Sequence, residues 1–274
     1  MTAHIFLIYT CLALIAGVVA FLPLSSSRTG KGRQKLLYIG CALVLVPIVA
    51  KMIFCMFPLF EARIMPIAVY GVIQGEFWLP FPVLFFAFAS HIVPSRERRG
   101  VIILMCAFIF LAIQQTFWHL GRPEAYDYKG TMERGVCLQS SDDTCGAASM
   151  VTLLNAIGIR ATEGEMARLS LSAPGRGLSP HQAAYALLRK LGQLDRTERV
   201  TVEVPGKEGL YDLPLPFLAG IRYSFWTNHM VCVLDLDSKS LLVGDPLIGR
   251  RPWSWKRFAR EWTGIVVVIH PRAE

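Results

Sequence analysis

The stretch "CLQSSDDTCGAASM" (137–150) places a cysteine, Cys145, at the head of small residues that read as a helix start. A thiol attacks a carbonyl carbon as its thiolate, and a helix N-terminus or a nearby imidazolium favours that form. Gly146, Ala147 and Ala148 leave the helix end open to a substrate. Six histidines are available as a partner. His4, His91 and His119 belong to apolar segments or their ends, His181 to the first turn of a helix, and His270 to the last residues of the chain. His229 opens "HMVCVLDL", where His229, Val231 and Val233 share one face of a strand and Cys232 points to the other. Cys232 therefore reads as core packing, and His229 as the base for Cys145.

A histidine base needs an orienting group on its second ring nitrogen. Asp245 begins the turn "DPLIG" after the strand that should pair with the histidine strand, although Asp also favours turns on its own account. An oxyanion needs preorganised donors. The amide of Gln139, six positions before Cys145, and the backbone N–H of Cys145 could supply two, unless Gln139 is simply a surface loop residue. The seven cysteines form no CxxC pair, so neither a zinc site nor any other metal or cofactor is expected. Cys11, Cys41, Cys55 and Cys106 lie in apolar segments, where packing is the reading.

The elements that must position these residues occupy about 133–274. "SDDTCGAASMVTLLNAIG" reads as a helix ended by Gly158. "TEGEMARLSL" has Thr162 and Glu165 at capping-box spacing, and "SPHQAAYALLRKLG" opens on Ser-Pro and closes on Gly192. The period then changes. "RVTVEV", "FLAGIRY", "HMVCVLDL", "SLLVGD" and "GIVVVIH" are strands, with a hairpin turn at "DLDSKS" and a short helix at "SWKRFAREW". Helices followed by antiparallel strands give an α+β domain.

"LQSSDDTCGAASMVTLLNAIG", "GLSPHQAAYALLRKLG", "NHMVCVLDLDSKSLLVGDPLIG" and "FAREWTGIVVVI" together resemble the bacteriocin-processing cysteine peptidases. These are papain-like enzymes that remove double-glycine leaders and are often fused to ABC exporters. The resemblance spans nearly all of 133–274. It implies a papain-like domain with an antiparallel sheet, Cys145 as nucleophile, His229 as general base, Asp245 as its orienter and Gln139 in the oxyanion hole. The sequence departs from the family pattern at Thr144, where Asp usually precedes the cysteine, and Asp143 is the residue left to cap. No GxxxxGK[ST] phosphate loop is present, so an exporter partner would be a separate chain.

Residues 1–118 have a different character. The chain has 274 residues, is 53% hydrophobic and only 18% charged, and the apolar excess lies before residue 119. A soluble domain carries about 25% charged residues. Four apolar segments, near 4–23, 36–57, 64–93 and 100–118, predict four transmembrane helices. A linker at 119–132 then leads to the peptidase-like domain. No charge precedes the first segment, so it reads as an uncleaved anchor. Basic loops at Arg28–Lys35 and Arg96–Arg99 predict a multi-pass protein of the inner (cytoplasmic) membrane with those loops cytoplasmic and the C-terminal domain outside. Lys51 and Glu76 stand within the apolar segments as a candidate pair.

The net charge of +8 follows from the basic loops and gives no reason to expect nucleic acid. The expected partners are the lipid bilayer and a peptide, protein or lipoprotein substrate, with a separate exporter or other membrane partner. The function expected is a membrane-anchored cysteine peptidase acting at the membrane surface through a thioester. A thiol acyltransferase or transpeptidase would use the same acyl-enzyme with an amine acceptor. A non-catalytic binding domain would be expected to have lost one of the four residues.

Overall fold

A computed structural model describes residues 31–64, 66–67, 80–120, 127–172, 177–224 and 228–271. Two compact units divide the chain: 1–57 with 73–122, and 58–72 with 123–274. The elements in chain order begin with α1 (Lys31–Met56), α2 (Pro58–Ile64), α3 (Pro80–Ile92) and α4 (Ser95–Leu120). In the first unit α3 packs against both α1 and α4. Val83, Ala87 and Met105 are buried between α3 and α4, and Phe86 stacks on Phe108 with ring centroids 5.7 Å apart.

The expectation of four transmembrane helices is overturned. Among the described residues no helix is long and apolar enough to cross a membrane. The uninterrupted apolar runs are short. In α1 the run 36–50 ends at Lys51, in α4 the run 101–113 ends at Gln114-Gln115, and α3 has only 13 residues. At about 1.5 Å per residue each run reaches roughly 20 Å, against about 30 Å of hydrocarbon. The first apolar segment (4–23) and Glu76 lie outside the described residues. Of the third segment (64–93), residues 65 and 68–79 lie outside the described residues and its described helix is α3; α2, just before it, belongs to the second unit, where it packs on the sheet.

The second unit has the expected α+β architecture with one addition. A hairpin of β1 (Thr131–Glu133) and β2 (Val136–Leu138) precedes the helices. Its turn residues Arg134 and Gly135 both have positive φ, as a tight two-residue hairpin requires. Strands of three residues carry too little alternation to be read from sequence.

Three helices follow, α5 (Cys145–Ala156), α6 (Glu163–Leu169) and α7 (Pro180–Gln193). Gly158, with φ of 79°, turns the chain away just beyond α5. Thr162 Oγ1 caps α6 by accepting from Glu165 N, but the Glu165 carboxylate binds Lys190 Nζ at 2.6 Å. Ser179 and Gln182 form a full capping box on α7. That helix runs past Gly192, and Asp195 takes the left-handed position instead.

The sheet is built from β3 (Arg199–Glu203), β4 (Phe217–Arg222), β5 (Asn228–Leu236), β6 (Ser240–Asp245), β7 (Gly249–Ser254) and β8 (Trp262–His270). A short 3₁₀ turn (Glu208–Asp212) follows β3, and α8 (Trp255–Glu261) precedes β8. The spatial order is β3-β8-β4-β5-β6-β7, antiparallel throughout. Asp237 makes the β5–β6 turn by accepting from the N–H groups of Lys239 and Ser240. Alternation then gives the sheet two cores. Leu218, Met230, Cys232 and Val267 pack with Met150, Leu154, Met166 and Leu187 of the helices. Phe217, Val231, Val243 and Val266 pack on the other face with Trp253 and Phe258.

Because both reciprocal bonds of the α7 box are present, Ser179→Ala should lower the unfolding free energy by about 1 kcal/mol. Urea melts check this, and an unchanged midpoint would mean that the Pro180 start alone fixes the helix.

Candidate active site

Cys145 is the first residue of α5 and is half-buried. Thr144 holds the N-cap position but makes no cap bond with its side chain. Its hydroxyl turns back, donating to the Ser141 carbonyl at 2.8 Å and accepting from Ser141 N at 3.3 Å. Asp143 Oδ1 accepts from Ser141 Oγ at 2.6 Å. No acidic residue stands in the first turn of α5. The helix end therefore keeps its partial positive charge for an anion at Cys145.

The imidazole of His229 is buried, with 6% of its surface exposed, and its Nε2 lies 2.9 Å from Asp245 Oδ1. An ionised carboxylate can only accept, so Nε2 carries the proton of that bond. The same oxygen accepts from Leu247 N at 2.9 Å, which fixes the carboxylate from the turn side. The His229 side chain also hydrogen-bonds Cys145. With Nε2 committed to Asp245, Nδ1 is the atom left for the thiol. Burial disfavours the imidazolium. The hydrogen bonds to Asp245 and Cys145, with the charges of both, outweigh it and raise the His229 pKa to about 9. The ring of Tyr223 lies with its centroid 5.8 Å from that of His229.

Three backbone ties bring these residues together. Ser149 Oγ, one turn into α5, donates to the carbonyl of Met230 at 2.8 Å, next to His229. Gln139 N donates to the carbonyl of Pro246 at 2.9 Å, next to Asp245. Thr152 Oγ1 accepts from Cys137 N at 2.9 Å, joining β2 to α5. The Gln139 side chain donates from Nε2 to the Ser141 carbonyl at 2.8 Å. That carbonyl also accepts from the backbone and hydroxyl of Thr144, immediately before Cys145.

The structure thus brings Cys145, His229 and Asp245 into one hydrogen-bonded line. It sets Gln139 in the loop that feeds the same helix start. Ser149, Thr152 and Glu163, which hold these elements, were not singled out by the sequence, where each is one small or acidic residue of a helix. The remaining thiols are placed differently. Cys232 is fully buried on the helical face of the sheet, and burial raises its pKa strongly. Cys137 is buried too, and desolvation with the charge of Glu163 pushes it up to about 12. Both are free, as is Cys145. Among the described residues no group of His, Cys, Asp and Glu is arranged to hold a metal ion.

A thiol at a helix start, facing an imidazole oriented by a carboxylate on an adjacent strand, defines a cysteine peptidase domain. The chain belongs to the Peptidase C39 family, whose model matches residues 133–274. It is 28% identical over 147 residues to an uncharacterized protein of Methanothermobacter marburgensis, covering 53% of this chain and 96% of that one. Over 63 residues it is 32% identical to the lactococcin-G-processing and transport ATP-binding protein LagD of Lactococcus lactis, covering 23% of this chain and 9% of that one. Among solved structures it is similar to the peptidase domain of Streptococcus ComA, at 19% identity and TM-score 0.41, covering 54% of this chain and 99% of that one. A double-glycine-motif protease from an AMS/PCAT transporter matches at 20% identity and TM-score 0.43, covering 53% and 99%.

Titration of the pair follows from its geometry. The folded pKa of His229 is raised, so its contribution to stability is complete below the ordinary histidine value of 6.5 and is lost as pH rises through about 9. The His229 ring resonances should titrate near 9, and lower in Asp245→Asn; a wild-type midpoint near 6.5 would show that the two partners do not hold the charge. Iodoacetamide at pH 6 should modify Cys145 well ahead of Cys137 and Cys232 in the folded protein. Equal rates for the three would remove the special environment of Cys145.

Proposed function

We propose that residues 133–274 cleave a leader from a peptide precursor through a thioester on Cys145. The observation that carries this reading is the His229 imidazole bonded at once to Asp245 and to the Cys145 thiol. Its raised pKa favours the imidazolium at neutral pH. Family membership supports peptide hydrolysis. The processing role in the name of LagD supports a precursor as substrate, and its transport role a partnership with an exporter.

In this reading the Cys145 thiolate adds to the scissile carbonyl carbon. The oxyanion formed is met by the backbone N–H of Cys145 and by the second N–H of the Gln139 amide, whose first is held on Ser141. As the C–N bond breaks, His229 gives its Nδ1 proton to the leaving amine, and a thioester remains on Cys145. Water then attacks the thioester. His229 takes a proton from that water at Nδ1, and the carboxylic acid departs as Sγ is released. Asp245 keeps the ring turned to Cys145 and transfers no proton.

A leader-derived peptide with Gly-Gly before a coumarin amide provides the assay. Cys145→Ala and His229→Ala should abolish release of coumarin with the fold intact, and Gln139→Ala should lower kcat by roughly 10²–10³. Asp245→Asn should retain more activity than His229→Ala. Full activity in Cys145→Ala would end the proposal. Covalent capture of the acyl group by an added amine in preference to water would replace hydrolysis by acyl transfer.

A further inference from the structure

The Glu163 carboxylate is 2% exposed, yet it opens a helix with no catalytic residue on it. Both of its oxygens are occupied by one residue of another segment. Ser140 N donates to Oε1 at 2.9 Å, and Ser140 Oγ donates to Oε2 at 2.5 Å. Burying a carboxylate is costly unless it is bonded, so this two-point grip is a strong local constraint. Ser140 directly follows Gln139. The main chain of Gln139 is tied on its own side to Pro246, and its amide to Ser141. The 139–141 segment is thereby fixed at three successive residues. Glu163 ties the middle residue of this segment to the helical layer behind the loop.

We propose that Glu163 is a positioning residue for the oxyanion hole: by clamping Ser140 it fixes the backbone from which Gln139 presents its amide beside Cys145. The inference rests on Gln139 being the oxyanion donor proposed above. Glu163 touches neither Cys145 nor His229 in any bond that defines the site, so it acts through Gln139 alone. Its negative charge also bears on Cys137, whose thiol it helps to keep protonated. Glutamine in its place preserves both bonds, with Oε1 accepting from Ser140 N and Nε2 donating to Ser140 Oγ, whereas alanine removes them.

A double-mutant cycle on the coumarin peptide tests this. Glu163→Ala should lower kcat about 10-fold with KM unchanged, forfeiting part of the roughly 10²–10³ that one oriented donor supplies. Ser140→Ala should give a smaller loss of the same kind, and Glu163→Gln should recover most of it. Combined with Gln139→Ala, neither Glu163→Ala nor Ser140→Ala should lower kcat further, because the group they orient is gone. The rate of Cys145 alkylation at pH 6 should be unchanged in all of them, since the thiol–imidazole pair is intact. Losses that add in full to that of Gln139→Ala, or a loss confined to KM, would overturn the assignment. If Glu163→Ala does not fold, Ser140→Ala and Glu163→Gln carry the same cycle. If Gln139→Ala itself leaves kcat intact, the oxyanion role has failed, and the positioning role falls with it for that separate reason.

Discussion

One buried hydrogen bond, His229 Nε2 to Asp245 Oδ1 at 2.9 Å, constrains the rest of the domain. An imidazole removed from water loses its proton unless an acceptor compensates for the missing solvent. Asp245 provides that acceptor and is itself 5% exposed, so it too depends on its donors, His229 and the Leu247 N–H. Neither partner is tolerable alone in that position. The pair lies on β5 and at the end of β6, neighbours in the sheet, so their pairing sets how the charge is held. The Cys145 thiol completes the line from a third element, α5.

The precision of the arrangement comes from the main chain more than from the reacting side chains. Ser149 reaches the carbonyl beside His229, and Gln139 N reaches the carbonyl beside Asp245. Each tie acts one residue away from a group in the site, so it fixes a backbone without occupying the reacting atoms. The same architecture separates the thiols. Cys137 and Cys232 sit where desolvation keeps them protonated, and Cys145 sits at a helix start beside an imidazolium.

The apolar N-terminal half shows how composition can mislead about length. Four hydrophobic segments suggested four spans, and among the described residues no helix is long and apolar enough for one. Hydropathy counts residues, whereas crossing a bilayer requires an unbroken rise, and Lys51, Gln114 and Gln115 end the apolar runs of α1 and α4 early. Position in the chain misled as well. Residues 58–72, read as part of the apolar half, belong to the second unit, where Leu59 rests against Gly264.

By itself the sequence determined what adjacent residues can encode. The helix start at Cys145, the Ser179-Pro180 helix start, the Asp237 turn and the alternation that sends Cys232 away from His229 are all local, set by spacing within a few residues. The α+β order of the second unit follows from where the hydrophobic period changes. Only the tertiary structure decided how distant segments meet. Gln139, read from sequence as either a loop glutamine or an oxyanion donor, is tied in space to Pro246 and to the approach to α5. Asp245, which a turn alone could explain, bonds a histidine 16 residues away. Glu163 reads as an ordinary acid in a helix first turn, but it grips Ser140 from 23 residues away. Such contacts depend on strand register and on how a helix docks, and these are settled by packing over the whole core, which no short window of sequence contains.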